Sequence, residues 1–426
     1  MPYKLRWPRL RSPKDWLLAF LIGQLICLLL WAVSWPQPVV TLSFLVEDTT
    51  EEAAWAPIIN DFHTTHPNIR IRLRTNPDNI PDPFTTDVRS NIHQADFQTR
   101  QPPQYDIVYM DTVWTAPFAK NLKALNGLVR RDNLDLDAFL DSEIAAGTVD
   151  GKLYRLPMMT EIGLLYYRKD WLAAVGKTLP TTIDELDELV TAIKDSPKGD
   201  NLQHGYLWQG FAYEGLITNF VEVLGGAGGA LTKDEQNYIE LDNPQAAEAV
   251  ETMSQLITRG ISPTNIMDYT EQSSQDEFRK GKSLFLRTWP SFWKDIQQEP
   301  WKDNIGIAPP FSFLSGEQGK GCRGGWGFGI SQKSRHQNEA WEAIKYLTGE
   351  KAQQAYSAST GSLPTRPALF PAAIKNNPMM ENILSYLDSS SVFRPSLKNY
   401  SQESTDLQAA LSSRLAAAVR LVSATP

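Results

Sequence analysis

Apolar positions recur along the chain with the two periods that distinguish strands from helices. Residues 39–46 are mostly apolar, residues 69–74 alternate strictly between apolar and basic, and residues 51–63 between them place Trp55 and Phe62 on one side. Apolar or alternating runs of this length are typical of strands, and a spacing of seven is typical of a helix. The pattern therefore predicts a strand–helix–strand unit.

A lone carboxylate stands inside the apolar stretch 156–171. Pro157 opens this stretch, and residues 162–167 are apolar and aromatic, which predicts a central strand of a mostly parallel sheet. Glu161 stands at the edge of that strand, where a charge needs a partner, a ligand or water. Two interpretations stay open: a salt bridge to a nearby Arg or Lys, or a carboxylate that faces a ligand.

A second carboxylate follows a buried-type strand. Residues 105–110 predict that strand, and it ends on Asp111. Ligands of open parallel sheets collect beyond the carboxyl ends of the strands, so Asp111 is a candidate ligand carboxylate. The alternative is that Asp111 caps a helix that runs through Trp114 and Phe118.

The rest of the pattern continues the alternation of helices and strands. A capping box at residues 182–185 begins one helix, and Asn243 with Pro244 begins another. The other predicted elements are strands at residues 283–287 and 304–308, a glycine-rich loop with two large rings at 324–330, and helices at 339–356 and 406–421. This order predicts an α/β fold.

Length and charge narrow the classes of function. A chain of 426 residues is too long for one core, so we expect two domains. The formal net charge is −8, and basic residues are gathered only at the N-terminus, which argues against nucleic acid as a partner.

The N-terminus has the pattern of an export signal. Five basic residues precede residues 16–33, which are almost wholly apolar. Either the leader is cleaved after Ser34, or it stays as an anchor with its N-terminus inside the cell. Cys27 is disfavoured as a lipidation site because no small residue precedes it. Cys322 is then the only cysteine of the exported body, so no disulfide forms there.

Carboxylates and tryptophans are the side chains in this sequence that most suggest a binding function. The five histidines are scattered, no nucleophile, zinc-protease or dinucleotide motif occurs, and we expect neither a metal nor another cofactor. Sugar hydroxyls donate well to carboxylates, and the apolar face of a pyranose stacks on an aromatic ring. Each tryptophan ring taken alone is more readily explained as part of the core. The rings and the carboxylates together indicate a sugar pocket. The candidate residues are Glu51, Asp111, Glu161, Trp208, Trp289 and Trp326.

Several ordered segments resemble one known family. They are residues 105–114, 163–170, 208–216, 287–290 and 324–326. The chain resembles the sugar-binding proteins of bacterial and archaeal ABC importers, in particular the trehalose/maltose-binding branch. The resemblance implies two α/β lobes of the periplasmic-binding-protein type, joined by a hinge with the ligand cleft between them. The implied division is a leader at 1–38, one lobe at 39–155 plus 306–348, and the other at 156–305 plus 349–426.

The resemblance also implies roles for individual residues. Carried over by position, they are Glu51, Asp111 and Glu161 as hydroxyl acceptors, Trp289 and Trp326 as stacking platforms, Gly325 as a close backbone contact, and Arg394 as a hydroxyl donor. Two departures concern the pocket: relatives often have Asp at position 161 and an aromatic residue at position 159. Residues 76–104 align poorly, so no role is carried over from them.

The implied function is a receptor and not an enzyme. It would capture an α-glucoside such as trehalose, maltose, sucrose or glucosylglycerol in the periplasm or at the outer face of the cytoplasmic membrane. It would act as a monomer and deliver the sugar to ABC permease subunits. Two alternatives stay open: a glycoside hydrolase with paired carboxylates, and a membrane-tethered sugar-sensing ectodomain.

Overall fold

The structure is a computed structural model that describes most of the chain. It covers residues 12–14, 16–17, 20–24, 38–75, 86–99, 102–233, 239–240, 243–314, 317–376 and 379–424. Ser34 and Cys27, on which the expectations about leader cleavage and lipidation rest, lie outside these residues. Among the helices described, none combines the length and the apolar character needed to cross a membrane.

The first part of the chain forms the predicted strand–helix–strand unit. Strand β1 (Val40–Leu45) pairs in parallel with β2 (Ile69–Arg74), and helix α1 (Thr49–Thr65) connects them. Asp48 caps α1 by accepting a hydrogen bond from the Glu51 amide at 2.7 Å, which satisfies an N–H group of the first turn. This prediction is confirmed.

The chain then continues through short elements up to residue 153. They are α2 (Thr86–Gln98), β3 (Ile107–Asp111), a 3₁₀ turn (Thr112–Trp114), α3 (Thr115–Phe118), α4 (Asn126–Asp132), α5 (Asp141–Ala146), β4 (Thr148–Val149) and β5 (Lys152–Leu153). With α1, they pack into two apolar clusters: one around Phe44, Trp55 and Tyr109, which we call the smaller core, and one around Phe97, Trp114 and Phe118.

The stretch after residue 155 departs from the prediction of one central strand. It forms two strands, β6 (Leu156–Ile162) and β7 (Leu164–Arg168), in two different sheets, and both pair antiparallel with their neighbours. They are separated by Gly163, where a Cβ atom would lie 1.7 Å from the Glu222 carboxylate. The prediction of a single strand in a mostly parallel sheet was wrong because a distant side chain packs against this backbone.

The middle of the chain builds a second body. Its elements are α6 (Lys169–Ala174), α7 (Ile183–Lys194), β8 (His204–Leu207), α8 (Glu214–Gly226), β9 (Thr232–Lys233), β10 (Ile239–Glu240), α9 (Pro244–Thr258), α10 (Glu271–Arg279), β11 (Ser283–Thr288), α11 (Trp293–Ile296) and β12 (Ile305–Ala308). The capping box at Thr182 and the start of α9 after Asn243 are confirmed. Strands β12, β7, β11 and β8 form one sheet in that order. It lies in a larger core around Trp208, Phe220 and Phe285.

Two paired strands connect the cores. Strand β13 (Gly321–Ile330) has Cys322 in the larger core and Phe328 in the smaller core. Strand β6 runs antiparallel to it, from Leu156 in the smaller core to Ile162 in the larger core. The glycine-rich loop predicted at residues 324–330 is therefore a strand. Its glycines permit close packing, since a Cβ atom on Gly327 would lie 2.5 Å from a backbone oxygen of β6.

The C-terminal part adds helices to both cores. The elements are α12 (Gln337–Leu347), α13 (Glu350–Thr360), β14 (Leu363–Pro364), α14 (Phe370–Asn376), α15 (Met379–Ser389), β15 (Ser391–Val392) and α16 (Tyr400–Ala424). The single helix predicted over 339–356 is divided at Gly349, which precedes the first turn of α13. The final helix is longer than predicted.

The division of the chain between the lobes remains a proposal, and the cores favour different boundaries from those implied by the resemblance. Ile307 and Phe311 lie in the larger core, although the implied boundary would assign residues from 306 onwards to the other lobe. Ala352 and Tyr356 lie in the smaller core, beyond the implied boundary at residue 348.

We predict that Gly163→Ala lowers the stability of the fold. The added carbon would displace the Glu222 carboxylate from Arg287, a buried pair whose contacts are 2.5 and 2.8 Å long. Disrupting a buried ion pair costs about 3–5 kcal/mol, so the melting temperature should fall by several degrees. Gly127→Ala is the control, because that helical position has open space within 4 Å. Equal melting temperatures for the two variants would contradict this account.

Candidate functional site

The two crossing strands present several candidate residues on one face. Glu161 of β6 pairs with Gly324 of β13, and Asp111 of β3 pairs with Trp326 of β13. Paired residues of antiparallel strands point to the same side, as do residues two apart on one strand. Glu161, Trp326 and Asp111 therefore share a face, which we call the crossing face.

Glu161 is a buried carboxyl group that forms no salt bridge with any residue that the structure describes. Its residue is 6 % exposed, and neither side-chain oxygen has a hydrogen bond of ordinary geometry to the described part of the chain. Burial raises the pKa of Glu161 to about 8, and nearby Ser362, the Ser291 backbone and Arg287 offset only part of this rise. The salt-bridge interpretation is wrong. A buried acceptor without a partner suits a ligand hydroxyl.

Trp289 borders the same face. A Cβ atom on Gly324 would lie 3.5 Å from the Trp289 ring and 3.6 Å from Glu161 Cβ, so the ring and the carboxyl side chain meet at this glycine. The Arg287 guanidinium lies 4.0 Å from the centre of the Trp289 ring. The indole N–H donates to Glu271 at 3.4 Å. Arg287 thus fixes one face of the ring, and the Glu271 contact fixes its orientation.

Trp326 has a similar arrangement in the smaller core. The Arg89 guanidinium lies 4.0 Å from the ring centre, and the Trp114 ring stands edge-on at 5.2 Å. Arg89 forms ion pairs with Glu47 at 3.5 Å and with Glu51 at 3.8 Å. Glu51 is therefore connected to the crossing face through Arg89.

Asp111 and Arg394 contact each other. Arg394 donates to the two Asp111 oxygens at 3.1 and 3.3 Å and to Glu214 at 2.7 Å. Asp111 also accepts from the Val113 amide at 3.3 Å, so it caps the turn after β3 as well. The capping alternative is confirmed. Both side chains are buried. In this structure, the predicted acceptor and the predicted donor satisfy one another.

Gly325 and Trp208 lie elsewhere. A Cβ atom on Gly325 would approach Glu143 and a backbone oxygen of β6, on the side opposite the crossing face, and its φ of +153° favours glycine. Trp208 is 1 % exposed and donates to Ser262 at 3.0 Å within the larger core. The interpretation of Trp208 as a pocket ring was wrong.

Sequence reasoning missed three charged residues beside the crossing face. Arg89 lies in the segment that aligns poorly, and Glu47 and Glu271 are far apart in the chain. Desolvation raises the pKa of the Glu47 carboxyl, Arg89 offsets part of this rise, and 59 % of the side chain stays accessible. The Glu271 carboxylate adds slightly to the rise. In the sequence, the only indication of a role for Glu271 was its position at the N-terminus of an amphipathic helix.

The arrangement suits binding of hydroxyl groups. It combines a buried carboxyl group with no hydrogen-bond partner among the described residues, two partly buried indoles and three further charged groups. Within the ranges that the structure covers, no group of three or more His, Cys, Asp or Glu side chains is placed to hold a metal ion.

We predict that Glu161 makes the stability of the protein depend on pH. Its folded pKa of about 8 exceeds the ordinary value of 4.5, so the folded state holds a proton that the unfolded state releases between these values. Stability should therefore fall as pH rises from 5 to 8, by on the order of 1 kcal/mol per pH unit from this group. Glu161→Gln should flatten that part of the profile in denaturant titrations.

The matched control for this profile is Glu188→Gln, which changes a carboxylate that is 70 % exposed. It should leave the slope of stability against pH as in the parent. The same slope for parent and Glu161→Gln would show that Glu161 is not protonated in the folded state near neutral pH.

Comparisons with known proteins show the family to which the chain belongs. The family model described as bacterial extracellular solute-binding protein matches residues 47–354. A probable ABC transporter-binding protein of Deinococcus radiodurans is 28 % identical over 294 residues, which are 68 % of each chain. The maltodextrin-binding protein MdxE of Bacillus subtilis is 27 % identical over 237 residues, which are 54 % of each chain.

A solved structure shows the same architecture. The maltose-bound MalE3 of T. maritima superposes with a TM-score of 0.79 at 28 % identity, over 90 % of this chain and 98 % of that one. The expected fold of two α/β lobes is confirmed.

Proposed function

Because the chain belongs to the family of bacterial extracellular solute-binding proteins, we propose that it captures a sugar outside the cytoplasmic membrane and delivers it to an ABC permease. The proposed ligands are α-glucosides: trehalose, maltose, sucrose or glucosylglycerol. Two relatives, MdxE and MalE3, are named for maltodextrin binding and for bound maltose, which supports this ligand class. The proposed state is a monomer in the periplasm or at the outer face of the membrane.

The observation that carries the proposal is Glu161 beside the Trp289 ring. A buried polar group without a partner costs about 1–3 kcal/mol, and a ligand hydroxyl would remove that cost. The adjacent indole offers an apolar surface for the C–H face of the same sugar ring. The two groups together favour a ligand that has hydroxyls and an apolar face.

The crossing strands support closure around the ligand. Because β6 and β13 pass between the cores, a sugar on the crossing face would contact side chains from both lobes. Closure would be stabilised only by contacts that are made in the closed state. Glu47 contacts Arg89 and Glu271 contacts Trp289, so both lie beside the crossing face and could contribute such contacts.

We propose that Arg394 and Asp111 also take part in binding. This would require a change in the contacts that they now make with each other. Asp111 lies at the crossing face, and the two side chains satisfy each other. A sugar that engages either side chain would have to replace part of this pair. We therefore expect their contribution to affinity to be smaller than that of Glu161 and Trp289.

We predict that Trp289→Ala weakens binding of maltose by about 2 kcal/mol, or roughly thirtyfold in Kd. The loss follows from removal of the stacking surface, and isothermal titration calorimetry measures it. Trp289→Phe is the matched control because it keeps a ring but loses the N–H donated to Glu271, so most of the affinity should return. Equal affinity for maltose in all three proteins would exclude Trp289 from the site.

We predict that the four proposed glucosides raise the melting temperature, whereas the polyamine spermidine and the amino acid leucine do not. A ligand at one hundred times its Kd stabilises the folded state by about 2.7 kcal/mol. Failure of every sugar in a thermal-shift series would contradict the proposed ligand class.

Product chromatography separates binding from hydrolysis. We predict that trehalose and maltose are recovered intact after incubation with the protein. Release of glucose would favour the alternative of a glycoside hydrolase.

A further inference from the structure

A second cavity lies apart from the crossing face. Its volume is about 490 Å³, within the range of about 300–1,000 Å³ that is typical of small-molecule sites. None of the candidate sugar residues lines it. The turn after β11 separates the two places, since Trp289 borders Gly324 whereas Trp293 lines the cavity.

The walls of this cavity come from both cores and are largely apolar. Trp293 and Met380, from the larger core, form one side. Ala358 of α13 forms part of the other, and α13 packs into the smaller core through Tyr356. Ala373 of α14 also lines the cavity. An apolar body that fills this space would gain about 25 cal/mol for each Å² of apolar surface it buries.

The charged groups of the lining are mostly cationic. Lys169, Lys294 and Lys302 line the cavity, against a single carboxylate, Asp303. The Lys294 ammonium donates to the Ser359 carbonyl oxygen. Among the residues that the structure covers, none of these three lysines forms an ion pair with a carboxylate. Three lysines and one carboxylate line the cavity, which therefore combines apolar walls with a net positive charge.

We propose that this cavity binds a small anionic amphiphile, that is, an apolar aromatic or aliphatic body that carries a sulfonate or carboxylate. The apolar walls would contact the apolar body of the ligand, and the lysines would favour a negative charge on it. A neutral sugar carries no negative charge, and none of the candidate sugar residues lines this cavity, so the two sites are separate.

The probe is 1-anilinonaphthalene-8-sulfonate, used with the purified full chain. It is an anionic naphthalene whose fluorescence rises in apolar surroundings. We expect saturable binding of one molecule, and weaker binding of N-phenyl-1-naphthylamine, which has the same body without the sulfonate.

Three charge-removing variants test the role of the lysines. Each of Lys169→Gln, Lys294→Gln and Lys302→Gln should weaken binding of the sulfonate probe by about two- to fivefold, as for exposed charge pairs. The same changes should leave binding of the neutral analogue unaltered.

A cavity-filling variant tests the location. Ala358→Phe places a ring in the cavity and should reduce affinity for the sulfonate by about tenfold or more, because the ring would occupy the space that the probe needs. Ala355→Phe is the matched control, since Ala355 is exposed on the same helix and does not line the cavity. Lys375→Gln is the control for charge, because Lys375 is exposed on α14 and is also outside the lining.

Three results would overturn the proposal. They are the absence of saturable sulfonate binding, an equal effect of Ala358→Phe and Ala355→Phe, and loss of sulfonate binding in Trp289→Ala. The last would place the probe on the crossing face. Binding of maltose in calorimetry is a separate readout, so failure of this proposal and failure of the sugar-binding proposal are distinguishable.

Discussion

The antiparallel pairing of β6 with β13 is the contact on which both lobes and the candidate site depend. These two strands pass between the two cores, and each contributes residues to both. Because side chains alternate along them, one face carries Glu161 and Trp326 and the other carries Thr160 and Gly325. A shift of the register by one residue would exchange these faces and dismantle the site.

Buried charges fix this pairing from both sides. On the face opposite the site, Glu143 accepts hydrogen bonds from Thr160 at 2.8 Å, Arg155 at 2.9 Å and Arg323 at 3.2 Å, which ties β6 to β13. Near Gly163, Glu222 accepts from Arg287 and from the Cys322 amide at 2.9 Å. Such charges add little net stability over apolar packing, but removal of one partner leaves a costly unpaired ion. Their effect is therefore to make alternative registers unfavourable.

Sequence patterns correctly predicted those elements whose ends and faces depend on residues that are close together in the chain. The alternation in β2, the capping box at Thr182 and the Pro start of α9 depend on neighbouring residues, and all three are as expected. The break at Gly163 and the strand β13 were missed because their causes are distant in the chain. Gly163 is enclosed by Glu222, and the glycines of β13 are needed for the close approach of β6.

The same distinction applies to the candidate site. Glu161 was recognisable as a carboxylate in an apolar setting, but the contact between Asp111 and Arg394, 283 residues apart, was not visible in either segment. Arg89 was missed because only the fold brings α2 against Trp326.

A structure of the protein with a bound maltodextrin tests the central claim most directly. The account predicts a sugar ring over Trp289 with a hydroxyl within hydrogen-bond distance of Glu161, on the face formed by β6 and β13 and enclosed by both lobes. A maltodextrin that contacts only one lobe, with Glu161 still lacking a hydrogen-bond partner, would contradict it.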